Sequence, residues 1–384
     1  MGINRPLGGR ISCPLKKNRP GGDAAINSNA DDNTAETGNT PASGNPGYQP
    51  IQFKGHAREY FGIWLTTLLL TVITLGIYGP WAKVRRKNYF HNNTAIHGYG
   101  FGYHATGWQI LKGRVLILLM IGLANVAGYI DPYFTIATAL VFFFLIPWAL
   151  NRSLRFNARN TSWRNVRLQW HGTYGGMMVM TYLVPLVSIL SAGILMPVMS
   201  RLSLKYFTNK HHFGTMPFEA DMEIGQAYTA FFCGILLAFV VVLAMLAPAY
   251  AIPRLFLSGD NQFIESTLGI LTMIPIFFFV FAITFQAMCR NYMLQNLHLG
   301  SIARFDSSIN PVVLVWIMLS NVVVVILTLG MMVPWAYVRL YDYFCSHTEY
   351  AITGDINSFI DVETRNQGAF GEEFADMEGL EFGF

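Results

Sequence analysis

Seven long apolar stretches constrain this chain more than any other feature of its sequence. Each holds about 17 to 26 residues, which as a helix is long enough to cross a hydrocarbon core of about 30 Å. Hydrophobic residues make up 53% of the chain and charged residues only 12%, about half the share in soluble proteins. The sequence therefore predicts an all-α polytopic membrane protein with about seven transmembrane helices. The stretches cover residues 61–81, 114–130, 133–150, 175–199, 227–252, 267–289 and 312–336.

A 17-residue motif that begins in the first of these stretches recurs along the chain. Residues 74–90 read TLGIYGPWAKVRRKNYF, residues 328–344 read TLGMMVPWAYVRLYDYF, and residues 191–207 form a weaker copy, SAGILMPVMSRLSLKYF. A helical proline removes a hydrogen bond to the carbonyl four residues earlier, and glycine at that position lets the backbone bend with little crowding. We therefore predict a kinked helix in each copy. The glycine and proline pairs are Gly76 and Pro80, Gly193 and Pro197, and Gly330 and Pro334.

The order of the apolar stretches predicts internal repeats. A tight turn at 129–132 joins the second and third stretches into a hairpin, and the sixth stretch ends in a weaker version of the same motif. The order is then helix, hairpin, helix, hairpin, helix. Two units of three helices would run in opposite directions, because an odd number of crossings inverts the second unit. We therefore expect inverted repeats, an arrangement common in secondary transporters.

The segments outside the apolar stretches differ in composition. Residues 1–48 are polar and rich in Gly, Asn and Pro, which predicts a disordered segment that buries too little apolar surface to fold. Alternating patterns at 97–103 and 164–170 predict short strands, so small β elements are expected outside the bilayer. The membrane domain would extend over 49–352. An acidic tail follows at 353–384, either solvated or docked on a basic surface of the protein.

Tryptophan and arginine residues follow the repeated motif. Trp81 and Trp335 come directly after their prolines, at the expected level of an interfacial aromatic belt. Two interpretations of the arginines stay open: they follow the positive-inside rule, or they bind an anionic lipid headgroup or an anionic solute. The candidate residues for such an anion site are Arg85, Arg86, Arg152, Arg155 and Arg339.

The interiors of the apolar stretches contain no Asp, Glu, Lys, Arg or His. Proton-coupled carriers commonly place such a group at membrane depth, so its absence weighs against that class. The deepest polar side chains suit either hydrogen bonds between helices or the lining of a polar path. No hydrolase motif and no metal-ligand spacing occurs in a suitable context, so we expect no enzyme, no metal and no other cofactor. The deepest polar residues are Asn125, Ser188, Ser191, Ser320 and Asn321.

Four segments carry a family resemblance. They are FKGHAREYFGIW at 53–64, NTAIHGYGF at 93–101, and the EEFAD sequence near the carboxyl terminus, together with the TLGIYGPWA core of the first motif. With these segments the chain resembles the YjgN-like bacterial inner-membrane proteins, a family known as DUF898, over residues 50–384. The resemblance implies a multi-pass protein of the bacterial inner membrane. It implies no activity and no catalytic or ligand-binding residue.

Two functions of different classes stay open. A transporter or permease for a small anionic solute would use the inverted repeats and the kinks. A non-transporting protein that binds anionic lipid or organises an envelope complex would use the basic residues. The lipid bilayer is the partner that the sequence predicts; nucleic acid is not expected, and the oligomeric state stays open. Seven crossings put the chain ends on opposite sides, and the basic residues of 82–113, 151–174 and 253–266 place the carboxyl terminus in the cytoplasm.

Overall fold

A computed structural model describes residues 47–256 and 262–375, in which helical hairpins alternate with pairs of short strands. The predicted disordered segment 1–48 therefore lies almost entirely outside the described residues. The helices are α1 (Ala57–Ile73), α2 (Gly79–Asn92), α3 (Gly107–Ile130), α4 (Pro132–Arg159), α5 (Tyr174–Met178), α6 (Val184–Leu190), α7 (Met196–Asn209), α8 (Ile224–Phe256), α9 (Gln262–Gln295), α10 (Pro311–Leu327), α11 (Val333–Ser346) and α12 (Ile356–Ala375). A π-helical turn, Val179–Leu183, joins α5 to α6.

Eleven strands of the described residues form one antiparallel sheet. They are β1 (Gln49–Pro50), β2 (Gln52–Phe53), β3 (Thr94–Ile96), β4 (Tyr99–Tyr103), β5 (Thr161–Trp163), β6 (Val166–Trp170), β7 (His211–Phe213), β8 (Met216–Glu219), β9 (His298–Leu299), β10 (Ala303–Ser307) and β11 (Thr348–Ile352). Strands that follow one another along the chain from β2 to β11 are also neighbours in the sheet, and β1 pairs with β11. Only Ile51 separates β1 from β2, and its N–H donates to the Thr348 carbonyl (2.9 Å). The sheet therefore closes into a nearly complete ring, which leaves little free strand edge.

Every helical hairpin leaves the ring at the same edge. The two strands that flank each hairpin pair with each other: β2 with β3, β4 with β5, β6 with β7, β8 with β9, and β10 with β11. Short connections join the remaining neighbours at the opposite edge, as at 97–98 between β3 and β4. Within the described chain this makes five repeats, each a helical hairpin followed by strands. They begin at α1, α3, α5, α8 and α10, and we number them in that order.

This topology corrects two predictions. The repeats are not inverted, because each contains a hairpin that returns to its starting edge rather than an odd number of crossings. The two ends of the membrane domain lie together, since Gln49 pairs with Tyr350. The predicted placement of these ends on opposite sides is therefore wrong. The error arose because a turn divides each apolar stretch that has a Gly–Pro motif into separate helices, where the prediction assumed one continuous helix.

Four of the described helices are long and apolar enough to cross a bilayer, as judged by length and composition. They form the hairpins of repeats 2 and 4, which we call the long hairpins. A turn interrupts the stretches 61–81, 175–199 and 312–336, and these form the short hairpins of repeats 1, 3 and 5. The predicted count of seven spans is thus not confirmed. The candidate spans are Gly107–Tyr129, Tyr133–Arg159, Ile224–Leu246 and Met273–Gln295.

The last helix, α12, lies against the ring. Its Ile356 and Ile360 are buried in a cluster with Val166, Phe213 and Ile302, which come from ring strands and from the connection between β9 and β10. The first part of the acidic tail is therefore a packed helix rather than a solvated segment.

A buried carboxylate fixes the same helix. The Glu363 side chain is 3% exposed, and its Oε1 accepts a hydrogen bond from the Thr215 backbone N–H (3.0 Å) and one from the Thr215 hydroxyl. Thr215 belongs to the connection between β7 and β8, at the ring edge opposite the hairpins. These bonds hold α12 at that edge.

Candidate functional site

The Gly–Pro motif forms a turn between two helices. Helix α1 ends at Ile73, and α2 begins at Gly79 with Pro80 in its first turn, where a missing N–H costs no helical hydrogen bond. Gly76 lies between them with a φ of +93°, a conformation that other residues rarely adopt. Gly193 (φ +84°) and Gly330 (φ +88°) occupy the same place in the other short hairpins. The predicted kinked helices are therefore wrong, and the glycine is required by the turn.

The residues after the turn pack inside the protein. Pro80, Pro197 and Pro334 are each less than 2% exposed. The Trp81 ring meets the Trp108 ring edge-to-face at 5.1 Å between centroids, and Trp335 lies under the Arg339 guanidinium at 5.1 Å. The repeated motif thus supplies helix contacts at equivalent places rather than one shared pocket.

The arginines predicted to form an anion site lie on separate helices. Arg85 and Arg86 are on α2, Arg152 and Arg155 on α4, and Arg339 on α11. Aromatic rings accompany three of them at 5.1 to 5.8 Å: Arg85 with Tyr78, Arg152 with Trp148, and Arg339 with Trp335. Contacts of this kind are cation–π interactions. The structure does not gather these residues into one site, and their contact with an anionic headgroup stays a prediction.

Arg339 also supplies the hydrogen-bond donor for two of the polar residues that were predicted to lie deepest in the membrane. Its Nη1 donates to Ser320 Oγ (2.8 Å) and to Asn321 Oδ1 (3.1 Å), both on α10 of the same hairpin. Ser188 and Asn125 instead donate to carbonyls of their own helices. These side chains therefore serve hydrogen bonds within and between adjacent helices.

Arg155 lies near a histidine pair at the junction of repeats 2 and 3. His171 Nδ1 is 3.1 Å from His212 Nδ1. Partial burial lowers the pKa of His171, and the nearby His212, Arg155 and Lys210 lower it further. Positive charge at this junction therefore opposes protonation of the pair.

Arg290, which the sequence analysis did not select, occupies an enclosed position where the helices meet the ring. Its two Nη atoms donate to Ser307 Oγ (3.0 Å) and Thr348 Oγ1 (2.8 Å), and its guanidinium lies 5.1 Å from the Phe344 ring centroid. Both hydroxyl residues are buried. No carboxylate in the described part of the chain pairs with Arg290. The site is therefore a cation held by neutral groups.

Two cations of repeat 3 differ from Arg290 because they contact a carboxylate. Arg201 and Lys205 share the Asp221 carboxylate at 2.9 and 2.7 Å. The hydrogen bond from Lys205 is the main cause that lowers the pKa of Asp221. Arg201 and Lys205 therefore have a carboxylate partner, whereas Arg290 has no anionic partner among the described residues.

Arg290 borders two cavities. The larger, about 900 Å³, lies between helices of repeats 3, 4 and 5 and extends from Thr208 near the ring to Ser188 near a hairpin turn. The smaller, about 330 Å³, is lined by strands on several sides of the ring, including Thr94 and Thr161. Arg290 and Phe344 line both cavities and so form the partition between them. The larger cavity is mainly apolar, and its methionines are Met196, Met199, Met293 and Met318.

A positional signal for Arg290 exists in the sequence. Arg290 lies five residues before the end of α9, and Lys87 lies five residues before the end of α2. Lys87 Nζ donates to Asn157 Oδ1 of the next repeat (2.6 Å), just as Arg290 reaches Thr348 of the next repeat. This helical position points toward the neighbouring repeat in both cases. The sequence comparison found only a weaker version of the motif ending in repeat 4, without its glycine and proline, and it did not align these two cations.

Comparison with known proteins identifies the family. Residues 48–377 match the family described as bacterial protein of unknown function (DUF898). The chain belongs to the DUF898 family. The DUF898 region contains the ring, all the described hairpins and α12, so these parts form one family domain. No solved structure matches the chain.

Curated relatives of this DUF898 protein are named inner membrane protein YjgN. The protein from Salmonella typhimurium is 25% identical over 356 residues, which cover 80% of this chain and 89% of the relative. The proteins from Escherichia coli O157:H7 and Escherichia coli K12 are each 28% identical over 142 residues, 37% of this chain and 36% of the relative. The names of these relatives and the apolar helices support the predicted inner-membrane location.

Proposed function

We propose that this DUF898 protein binds an anionic phospholipid in the larger cavity, with the phosphate at Arg290 and an acyl chain along the apolar walls. The supporting observation is a cation without a carboxylate partner among the described residues at the ring end of an otherwise apolar cavity. The cavity volume of about 900 Å³ lies in the range of small-molecule sites, about 300–1,000 Å³.

The chemistry of the lining residues suits the two ends of such a lipid. A guanidinium has five N–H donors, and the hydrogen bonds to Ser307 and Thr348 use two of them, which leaves donors for a phosphate. Methionine side chains are unbranched and flexible, so they adapt to acyl chains of different length. This arrangement favours an amphiphile over a small polar solute.

Binding of defined lipids tests this proposal. The full chain in mild detergent is mixed with phosphatidylglycerol or phosphatidylcholine, and native mass spectrometry measures the bound fraction of each. We expect Arg290→Gln to reduce the preference for phosphatidylglycerol by about 10-fold or more, since a hydrogen bond to a charged group contributes about 1.5–3 kcal/mol. Arg290→Lys should retain part of the preference.

Two comparison variants sharpen the result. Arg304→Gln removes an exposed cation from a ring strand and should leave the preference unchanged. Arg85→Gln tests the arginines predicted from sequence. An unchanged preference in Arg290→Gln, or an equal loss in Arg304→Gln, would contradict the assignment.

The direction of insertion follows from the same topology. In the described chain, the segments that join the two helices of a hairpin contain no Lys or Arg: 74–78, 131, 191–195 and 328–332. Arg254, two residues before the end of α8, is the basic residue near a remote hairpin end. Basic residues concentrate near the ring instead, as on α2, and short basic segments stay in the cytoplasm. The proposal therefore places the ring, the start of the described chain at residue 47 and helix α12 in the cytoplasm.

Maleimide labelling of intact spheroplasts tests this orientation on a cysteine-free background. Tyr133→Cys at the remote end of a long hairpin should react in intact cells, and Asn165→Cys in the connection between β5 and β6 should react only after lysis. The reverse pattern would overturn the orientation. Labelling of both positions in intact spheroplasts would show that this hairpin does not cross the membrane.

A permease is the second candidate function. The observation that favours it is the partition: Arg290 and Phe344 separate the larger cavity from the cavity within the ring. In this case Phe344→Ala should raise chloride efflux from proteoliposomes well above that of the unaltered chain. Equal efflux from both proteins and from protein-free liposomes would contradict transport and leave lipid binding as the better account.

A further inference from the structure

We propose that the short hairpins are re-entrant: they enter the bilayer from the ring side, turn within the hydrocarbon and return to the ring. Their turns, residues 74–78, 191–195 and 328–332, would then contact lipid acyl chains rather than water or a second protein. We call these segments the hairpin tips. The inference concerns insertion depth and does not depend on the lipid proposed at Arg290.

The first argument is hydrogen bonding of the tip backbone. An irregular segment in hydrocarbon is costly because its polar groups lack water, so each group needs a partner within the protein. In the first tip the N–H groups of residues 74–77 and 79 donate to backbone carbonyls at 2.7 to 3.1 Å. The N–H of Tyr78 donates to Thr74 Oγ1 (3.0 Å). Pro80, which has no N–H, follows directly.

One hydroxyl at the start of each tip completes the pattern. Thr74 Oγ1 donates to the Leu70 carbonyl (2.7 Å) while it accepts from Tyr78. Thr328 does the same between the Val324 carbonyl (2.7 Å) and the Met332 N–H (3.2 Å).

In the tip at 191–195 a serine takes the place of this threonine. Ser191 Oγ donates to the Ser188 carbonyl (3.0 Å) and accepts from the Leu195 N–H (3.1 Å). The backbone N–H groups of residues 191–194 and 196 donate to carbonyls as in the first tip. The three tips thus share one self-contained set of donors.

The second argument is the exposed surface of the tips. Leu75 and Leu329 are each 94% exposed, and Ile194 is 66% exposed. The tips contain no charged residue. Projecting apolar side chains on an uncharged turn are unfavourable in water, and acyl chains are the surroundings that match them.

The third argument is the distance from a tip to the first cation of the helix that follows it. Arg114 of repeat 2 also reaches the first tip, where its Nη1 lies beside Gly79. Lys83 follows the start of α2 by four residues and Arg339 follows the start of α11 by six, which is about 6 to 9 Å along the helix axis. Tips at the far interface of a core of about 30 Å would hold these cations near its centre, where they are costly. Tips within the hydrocarbon let the same side chains reach the ring-side interface.

The long hairpins show the spacing of a full crossing. From Asp131 at the remote connection to Arg152 there are 21 residues, about 31 Å of helix. The first helices α1 and α10 of two short hairpins have 17 residues each, about 25 Å, so their tips stop short of the far interface, whereas the long hairpins pass through both leaflets. The protein would then displace more lipid from one leaflet than from the other.

Spin-label accessibility tests the depth of the tips. Single cysteines replace Leu75, Leu329 or Ile194 in the cysteine-free full chain, which is labelled with a nitroxide and reconstituted in liposomes. We expect collisions with oxygen, which concentrates in hydrocarbon, to exceed collisions with a water-soluble nickel chelate at all three positions. Tyr133→Cys and Asn165→Cys are the controls for the two aqueous interfaces, and nickel collisions should dominate there.

Two results would overturn the proposal. Nickel collisions at Leu75 and Leu329 as frequent as at Tyr133 would place the tips in water beyond the far interface. Low collision rates with both reagents would place the tips under protein. Variants that fail to elute as the parent does in size exclusion are set aside, and the three equivalent positions allow the test to proceed with the others.

Discussion

The short and long hairpins share one end and differ at the other. In repeats 1, 2 and 5 the second helix runs twelve residues from a buried proline to its end: Pro80 to Asn92, Pro147 to Arg159, and Pro334 to Ser346. A threonine hydroxyl at the start of the next strand then donates to a carbonyl of the last turn, as Thr94 does to Phe90 (2.7 Å) and Thr161 to Asn157 (2.9 Å). The ring therefore receives each of these hairpins through the same helix end. The difference in length between the short and the long hairpins therefore arises from the residues that precede the proline in the chain.

What precedes the proline differs for a physical reason. In the short hairpins a Thr-x-Gly or Ser-x-Gly turn precedes it, and the proline stands in the first helical turn. In repeat 2 helix α4 continues through Pro147, which cannot donate to the Phe143 carbonyl. The Tyr182 hydroxyl of repeat 3 donates to that carbonyl instead (2.7 Å). A continuous helix at this proline thus depends on a neighbouring repeat, whereas the short hairpins close their tips alone.

The largest expected effect comes from the tip glycine. Gly330 has open space at its Cβ position but a φ of +88°, so Gly330→Val should reduce the free energy of unfolding by about 3 kcal/mol through backbone strain alone. Gly122→Val in a long hairpin is the matched control, since it also has open space and lies within regular helix α3. Unfolding in mixed micelles measures both. Equal losses would mean that the turn conformation is not the distinguishing feature.

The tip hydroxyl should have the next largest effect. Thr328→Val leaves the Met332 N–H without its acceptor and should lower stability by about 1–3 kcal/mol. Thr138→Val in a long hairpin removes only a donor to the Phe134 carbonyl of its own helix. Its loss should be a few tenths of a kcal/mol. A similar loss in both variants would show that closure of the tip contributes nothing specific.

A smaller coupling should link Pro147 to Tyr182. Tyr182→Phe leaves the Phe143 carbonyl without its donor, whereas in Pro147→Ala the backbone N–H of residue 147 can donate to it. A double-mutant cycle should therefore give a coupling of about 1 kcal/mol, with Tyr182→Phe better tolerated on the Pro147→Ala background. Additive losses would rule out the tyrosine as a substitute donor.

The smallest effect should be a pH dependence at the junction of repeats 2 and 3. The pKa of His171 is lowered in the folded protein, so the unfolded chain binds the proton more readily below its ordinary value of about 6.5. Stability should therefore fall as the pH decreases from about 6.5, and it should be unaffected by this group above that pH. His171→Asn should reduce the difference in thermal midpoint between pH 5.5 and pH 7.5. An unchanged difference would place the acid sensitivity elsewhere.

Part of the candidate site was accessible from sequence. The Arg–aromatic spacing of the motif corresponds to the contact between Arg339 and Trp335 on α11, and the alternating pattern at 164–170 ends in strand β6. Arg290 was not found, because its importance comes from Ser307, Thr348 and Phe344, which lie 17 to 58 residues away along the chain and meet it through the ring. No local pattern reports which cation lacks a carboxylate partner in three dimensions.

The sequence by itself determined that the chain is a membrane protein of the DUF898 family with repeats, because apolar length and motif identity are local properties. Tertiary structure alone decided that each repeat is a helical hairpin that returns to one edge of the ring. The same apolar run of about 25 residues reads as one crossing or as a helix, a turn and a second helix, since both bury similar apolar surface in lipid. Pairing of the strands that flank each hairpin selects the second arrangement, because those backbone hydrogen bonds require both ends of the hairpin at one ring edge.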